Sequence, residues 1–131
     1  MDYLKNDICN LNFLNNNHYS NRKKNINIIS ICFFKMKNHY KNFNIYINGL
    51  KKWIKFLKSF KNNYLIRLFI DENVNNDPYI MKIINESNII QPVLFSCVNY
   101  KKGNFHIDLF ATMVRFFPIF DFENNDSNNV I

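Results

Sequence analysis

The sequence most narrowly limits the possible folds in one stretch, where a strand, a helix and a second strand follow one another. The two strands are predicted at Tyr64–Ile70 and Ile89–Val98, nearly continuous apolar runs typical of strands buried on both faces. Between them, Asp77 supplies an N-cap oxygen and Pro78 the first residue of a helix that continues to about Ser87. This unit predicts parallel strands, a right-handed crossover and an α/β sheet.

Two further elements are predicted before this unit. Asn27–Met36 is a compact run of β-branched and aromatic residues and predicts the first strand of the sheet. Ile45–Lys61 has a helical period, with an apolar stripe of Ile47, Leu50, Trp53, Ile54, Leu57 and Phe60, and with lysines 51, 52, 55, 58 and 61 along the other side. We interpret it as a helix that packs on the core and is kept soluble by its lysines. Basic amphipathic helices are also typical of proteins that bind nucleic acid or membrane surfaces.

Composition excludes several classes of function. The chain has only two glycines, and it contains no glycine-rich phosphate loop and no dinucleotide fingerprint. No two of its three histidines have the spacing of a zinc-protease motif. The spacing of Cys9, Cys32 and Cys97 fits neither a zinc site nor a disulfide framework, which predicts reduced cysteines in an intracellular protein.

Residues 1–24 are rich in asparagine, show no clear period and are interpreted as a polar tail before a domain at residues 25–131. Charges stand where a signal peptide needs an apolar core, and no apolar run is long enough for a transmembrane segment. We therefore expect a soluble, cytoplasmic protein. The net charge of +7 favours association with phosphate-bearing partners.

The last part of the chain, Phe105–Ile131, predicts a helix, a polar turn and the start of a strand. The helix has one apolar face, and Arg115 projects from another. Pro118 ends or kinks the helix, because it removes a backbone donor and disfavours helical geometry at the residue before it. The turn at Glu123–Asn129 then leads into two β-formers, Val130 and Ile131.

This segment resembles part of the GT-A-type glycosyltransferases, most of all the glycosyltransferase-like proteins of giant viruses and some bacteria. The resemblance rests on Thr112–Pro118 (TMVRFFP), followed by the acidic turn and by Val130 and Ile131. In that family the strand continues into an Asp-x-Asp motif, which holds a divalent metal and the diphosphate of the nucleotide sugar. The 131 residues contain no Asp-x-Asp sequence.

Over Asn27–Ile131 the resemblance implies an α/β fold: a partial GT-A (Rossmann-like) sheet of about three parallel strands plus the start of a fourth, with flanking helices. The fourth strand would lie beside the first. The resemblance also implies two nucleotide-sugar-binding residues. Asp71, at a strand end, would read the nucleotide base, with a loop-capping role as the alternative. Arg115 would contact the sugar nucleotide, with an ion pair to Asp108 or Asp121 as the alternative.

The resemblance thus implies the N-terminal, nucleotide-sugar-binding portion of a glycosyltransferase. Its partner would be a nucleotide-diphospho-sugar, and a divalent cation, Mn²⁺ or Mg²⁺, is expected only in the complete domain. We expect the 131-residue chain to be marginally stable and to lack transferase activity, because the edge of its fourth strand would be open. Two alternatives stay open: a non-catalytic basic α/β module that binds nucleic acid, the less expected partner, or acidic lipid, and a truncated gene relic.

Overall fold

The computed structural model describes residues 9–14, 26–35, 42–60, 64–97 and 127–130. Within these residues, five strands form one sheet that is accompanied by three helices. In chain order the elements are β1 (Cys9–Phe13), β2 (Ile26–Phe33), α1 (Phe43–Lys58), β3 (Tyr64–Ile70), α2 (Glu72–Asn75), α3 (Pro78–Asn85), β4 (Ile90–Cys97) and β5 (Ser127–Val130).

The strand order in the sheet is β1-β4-β3-β2-β5. Strands β4, β3, β2 and β5 run parallel to one another, whereas β1 is antiparallel to β4. The predicted α/β class is confirmed, and the strands predicted at Asn27–Met36, Tyr64–Ile70 and Ile89–Val98 are found as β2, β3 and β4. The described sheet is mixed, however, rather than wholly parallel.

The antiparallel strand lies in the stretch that was predicted to be a polar tail. Residues Cys9–Phe13 (CNLNF) alternate apolar and polar side chains, and Asn10 and Asn12 are exposed while Leu11 and Phe13 are partly covered. The strand is only five residues long, and asparagine is depleted in strands, so its alternation is a weak signal. The tail interpretation is therefore wrong for these five residues.

The helices pack on one face of the sheet. Buried residues of β3 on this face, Ile66 and Leu68, meet Leu50 and Leu57 of α1 and Ile80 and Ile84 of α3 in one hydrophobic cluster. Helix α1 is thus a core-packing helix, as expected. Two residues of its predicted apolar stripe are nevertheless exposed, Trp53 by 46% and Phe60 by 44%. No helix among the described residues is long and apolar enough to cross a membrane.

Pro92 occupies an unexpected place, because its missing N–H predicts a position at a strand start or on a sheet edge. It is the third residue of β4, which lies between β1 and β3. Its carbonyl accepts a hydrogen bond from the Leu14 N–H at 3.0 Å, directly beyond the end of β1. The nitrogen and the carbonyl of a strand residue point to the same side, so the missing N–H of Pro92 lies one residue beyond the last β1–β4 pair, Phe13 and Val93, and is tolerated there.

Candidate functional site

The chain reverses its direction across the sheet at β2. From β2 it continues outward to β3 and then β4, and it returns to the opposite side of β2 as β5. In open α/β sheets, ligands bind beyond the carboxyl ends of the strands at such a reversal. Phe33 at the end of β2 lies opposite Ile70 at the end of β3, so the residues that follow them, Phe34, Lys35 and Asp71, form the candidate site.

Asp71 joins the carboxyl ends of β2 and β3. It follows β3 directly, is only 1% exposed, and accepts the Val74 N–H at 2.9 Å as the N-cap of α2. The Lys35 backbone N–H points at the same carboxylate, with 3.4 Å from the nitrogen to each oxygen. The Asn73 side-chain amide donates to the Lys35 carbonyl at 2.9 Å. The capping role considered for Asp71 is thus observed, and its contact with a nucleotide base stays a prediction.

Lys35 carries the positive charge of the site. Its Nζ lies 3.1 Å from Oδ2 of Asp77 and 5.8 Å from the ring centroid of Phe43. Phe43 is the first residue of α1, and its ring also contacts that of Phe33, with 5.1 Å between the centroids. The Lys35 side chain, about a third exposed, therefore lies beside the N-terminus of a 16-residue helix. The ammonium and the positive end of the helix dipole together favour an anion here.

Asp77 links this site to α3. Its Oδ1 accepts the N–H groups of Tyr79 at 3.1 Å and Ile80 at 3.2 Å, which confirms the predicted N-cap. Burial by itself raises the pKa of Asp77, but the hydrogen bond from Lys35, the two backbone hydrogen bonds and the Lys35 charge lower it further than burial raises it. The pKa of Asp77 therefore lies below its ordinary value, and the carboxylate is ionised at neutral pH.

The described part of this edge offers an anion one lysine, which is paired with Asp77, and one helix terminus. Its two carboxylates, Asp71 and Asp77, already accept hydrogen bonds from backbone N–H groups as helix N-caps. Among the described residues, no group of three or more histidine, cysteine or acidic side chains could hold a metal ion.

The structure brings one of the two predicted site residues into this edge. Asp71 lies there, whereas Arg115 is outside the described residues. Sequence reasoning missed Lys35 and Asn73, and it identified Asp77 only as a helix cap. A signal for Lys35 existed, because it is a basic residue near the C-terminal end of the apolar run Asn27–Met36, and that end of a parallel strand lies at the ligand-binding edge.

A scan against protein-family models gave no match, and neither did searches of curated proteins and of solved structures.

Proposed function

We propose that the chain is the nucleotide-sugar-binding portion of a GT-A-like glycosyltransferase. The observation that carries the proposal is the parallel strand order β4-β3-β2-β5, with β2 next to the strand reached after the reversal. This order is that of a nucleotide-binding half of a doubly wound sheet. Because such sheets support many activities, the narrower choice of a glycosyltransferase rests on the sequence resemblance.

In this proposal the donor diphosphate binds beyond the carboxyl ends of β2 and β3. Lys35 and the N-terminus of α1 supply the positive charge, and a phosphate oxygen replaces or shares the Asp77 contact of the Lys35 ammonium. The resemblance adds Arg115 as a contact of the sugar nucleotide and Asp71 as a contact of the base. The resemblance also implies a divalent cation held by an Asp-x-Asp motif, a sequence that these 131 residues do not contain. For these 131 residues the proposal is donor binding and not sugar transfer.

The test is a calorimetric titration that measures the affinity of the chain for uridine diphosphate, guanosine diphosphate and the corresponding glucose conjugates. Each nucleotide is titrated with and without Mn²⁺. We expect Lys35→Ala to weaken diphosphate binding roughly tenfold, the effect of one lost charge-assisted hydrogen bond. Lys82→Ala is the matched control. Lys82 is also a lysine with an ion pair, to Glu86, but this pair lies at the C-terminal end of α3, whereas the Lys35–Asp77 pair lies at its N-terminal end. The affinity of Lys82→Ala should equal that of the wild type.

A second comparison tests the resemblance itself. Arg115→Ala should weaken the binding of the sugar conjugates. Asp71→Asn keeps a capping oxygen and should change the preference of the chain between uridine and guanosine nucleotides. Absence of binding for all four nucleotides, or equal losses in Lys35→Ala and Lys82→Ala, would contradict the proposal.

A further inference from the structure

Helix α1 has three distinct faces, whereas a helix that only packs on a core needs one apolar face and one polar face. One face is buried against the sheet through Ile47, Leu50 and Leu57. The second face carries Lys51, Lys52, Lys55 and Lys58, all of which are exposed. The third face is also exposed and carries Ile45 (67%), Phe56 (55%), Trp53 (46%) and Tyr46 (45%). Together with Phe60 (44%), which lies two residues beyond the end of the helix, we call it the aromatic patch.

Three rings of the aromatic patch form a connected row. The ring of Phe56 lies edge-on to that of Trp53, with 6.1 Å between the centroids, and to that of Phe60, with 4.8 Å. Phe60 in turn meets Tyr64 at the start of β3, at 6.1 Å. Soluble surfaces expose single apolar side chains routinely, but a connected row of large ones marks a contact surface.

The lysine face borders this patch. Ile45, Lys52 and Phe56 lie along one line of the helix surface, because residues separated by seven and four positions fall on the same side. Lys51 lies at the opposite border of the lysine face, next to α3, and donates to the Tyr79 hydroxyl at 3.0 Å. Helix α1 contains no aspartate or glutamate, so no residue of the helix offsets its positive charge.

We infer that the aromatic patch of α1 binds an anionic lipid membrane surface, with the lysine face against the lipid headgroups. Lysines on one side and tryptophan and phenylalanine on the other are the composition of helices that lie in a membrane interface. Tryptophan and tyrosine prefer the headgroup level, where one end of the ring is apolar and the other is wet. Each lysine near an anionic leaflet adds to the attraction.

Two other occupants fit the geometry less well. Bases of a single strand stack on open aromatic faces, but these rings pack edge to face, with interplanar angles of 83° and 71°. A symmetric dimer through this surface would bring the lysines of α1 near the lysines of the second copy, because both copies use the same patch. An anionic lipid surface satisfies the apolar patch and the positive charge together.

The chain reports on its own binding, because Trp53 is its single tryptophan and lies in the patch. Vesicles of phosphatidylcholine mixed with an equal amount of phosphatidylserine should carry the full chain upward in a flotation assay. Trp53 emission should then shift to shorter wavelength and be quenched by brominated lipid. Vesicles of phosphatidylcholine alone should bind the chain much more weakly.

Variants distinguish membrane binding through the aromatic patch from non-specific adsorption to vesicles. Phe56→Ser should lower partitioning roughly tenfold, because about half of a phenylalanine side chain would no longer leave water. Ile45→Ser, at a still more exposed position, provides a second loss that does not depend on the ring cluster. Tyr79→Ser removes an equally exposed aromatic residue from α3, outside the patch. It also releases Lys51 from the Tyr79 hydroxyl, so partitioning should not fall.

The charge is tested in the same way. Lys52→Gln should weaken binding to the mixed vesicles roughly fivefold and should have no effect on phosphatidylcholine alone. Lys82→Gln, on α3, is its control. Equal losses in Phe56→Ser and Tyr79→Ser would overturn the inference. So would Trp53 quenching by an oligothymidylate in place of vesicles, or a dimer whose formation shifts the Trp53 emission.

Discussion

Replacement of Asp71 by alanine tests whether the carboxyl ends of β2 and β3 are joined by a single buried side chain. The substitution removes the N-cap of α2 and the acceptor of the Lys35 N–H together. Both donors lose their partner at a residue that is only 1% exposed, so water replaces the carboxylate poorly.

The expected loss can be worked out contact by contact. Removing an N-cap costs about 0.5–2 kcal/mol, and burial places Asp71 near the upper end of that range. A buried N–H left without an acceptor costs about 1–3 kcal/mol, and the long 3.4 Å contact of Lys35 places it near the lower end. The sum is about 3 kcal/mol for Asp71→Ala. Asp71→Asn keeps a capping oxygen and should cost about 1 kcal/mol.

Asp77→Ala is the matched comparison, since it also removes an N-cap and a contact with Lys35. Its carboxylate is more exposed, so its cap and its ion pair should together contribute about 1–2 kcal/mol. Urea unfolding at neutral pH, followed by circular dichroism and by Trp53 fluorescence, measures all three variants. If Asp71→Ala lost no more unfolding free energy than Asp77→Ala, the reasoning would be refuted. The buried carboxylate would then contribute no more stability than the more exposed one.

Three further predictions concern pH, helix propensity and the core. The lowered pKa of Asp77 means that its charge stabilises the fold above its unfolded pKa of about 3.9 and that this contribution is lost as the pH falls through the folded pKa. The stability difference between wild type and Asp77→Asn should therefore be constant above about pH 5 and should shrink in acid, as urea midpoints across pH can show; a difference that grows in acid would contradict the assignment. Gly49 lies within α1, and no neighbouring atom comes within 4 Å of the position that a Cβ would take. Gly49→Ala should therefore raise the thermal midpoint by the equivalent of about 0.5–1 kcal/mol. A lower midpoint would reveal a contact that the added methyl group disturbs. Ile66 is fully buried, so Ile66→Ala should lower the unfolding free energy by about 2–5 kcal/mol. Ile45 is exposed, so Ile45→Ala should lower it by less than about 0.5 kcal/mol. Equal losses in the two variants would argue against this placement of the core.

Much of the described architecture was predictable because its signals are local. Apolar runs marked β2, β3 and β4, and the Asp77-Pro78 pair marked the start of α3. The strand, helix, strand alternation was enough to predict parallel neighbours. Strand β1 was missed because five residues with two asparagines give too short an alternation to stand out from a polar segment.

The amino-acid sequence by itself determined strands β2, β3 and β4 and helices α1 and α3, because caps, turn residues and apolar periods act over a few positions. It also placed Asp71 at a strand end. Tertiary structure alone decided that Lys35 meets Asp71 and Asp77, since these contacts join residues 36 and 42 positions apart. It also decided that Trp53 faces outward: a helical period shows which residues share a side of α1, but only packing decides which part of that side meets the sheet.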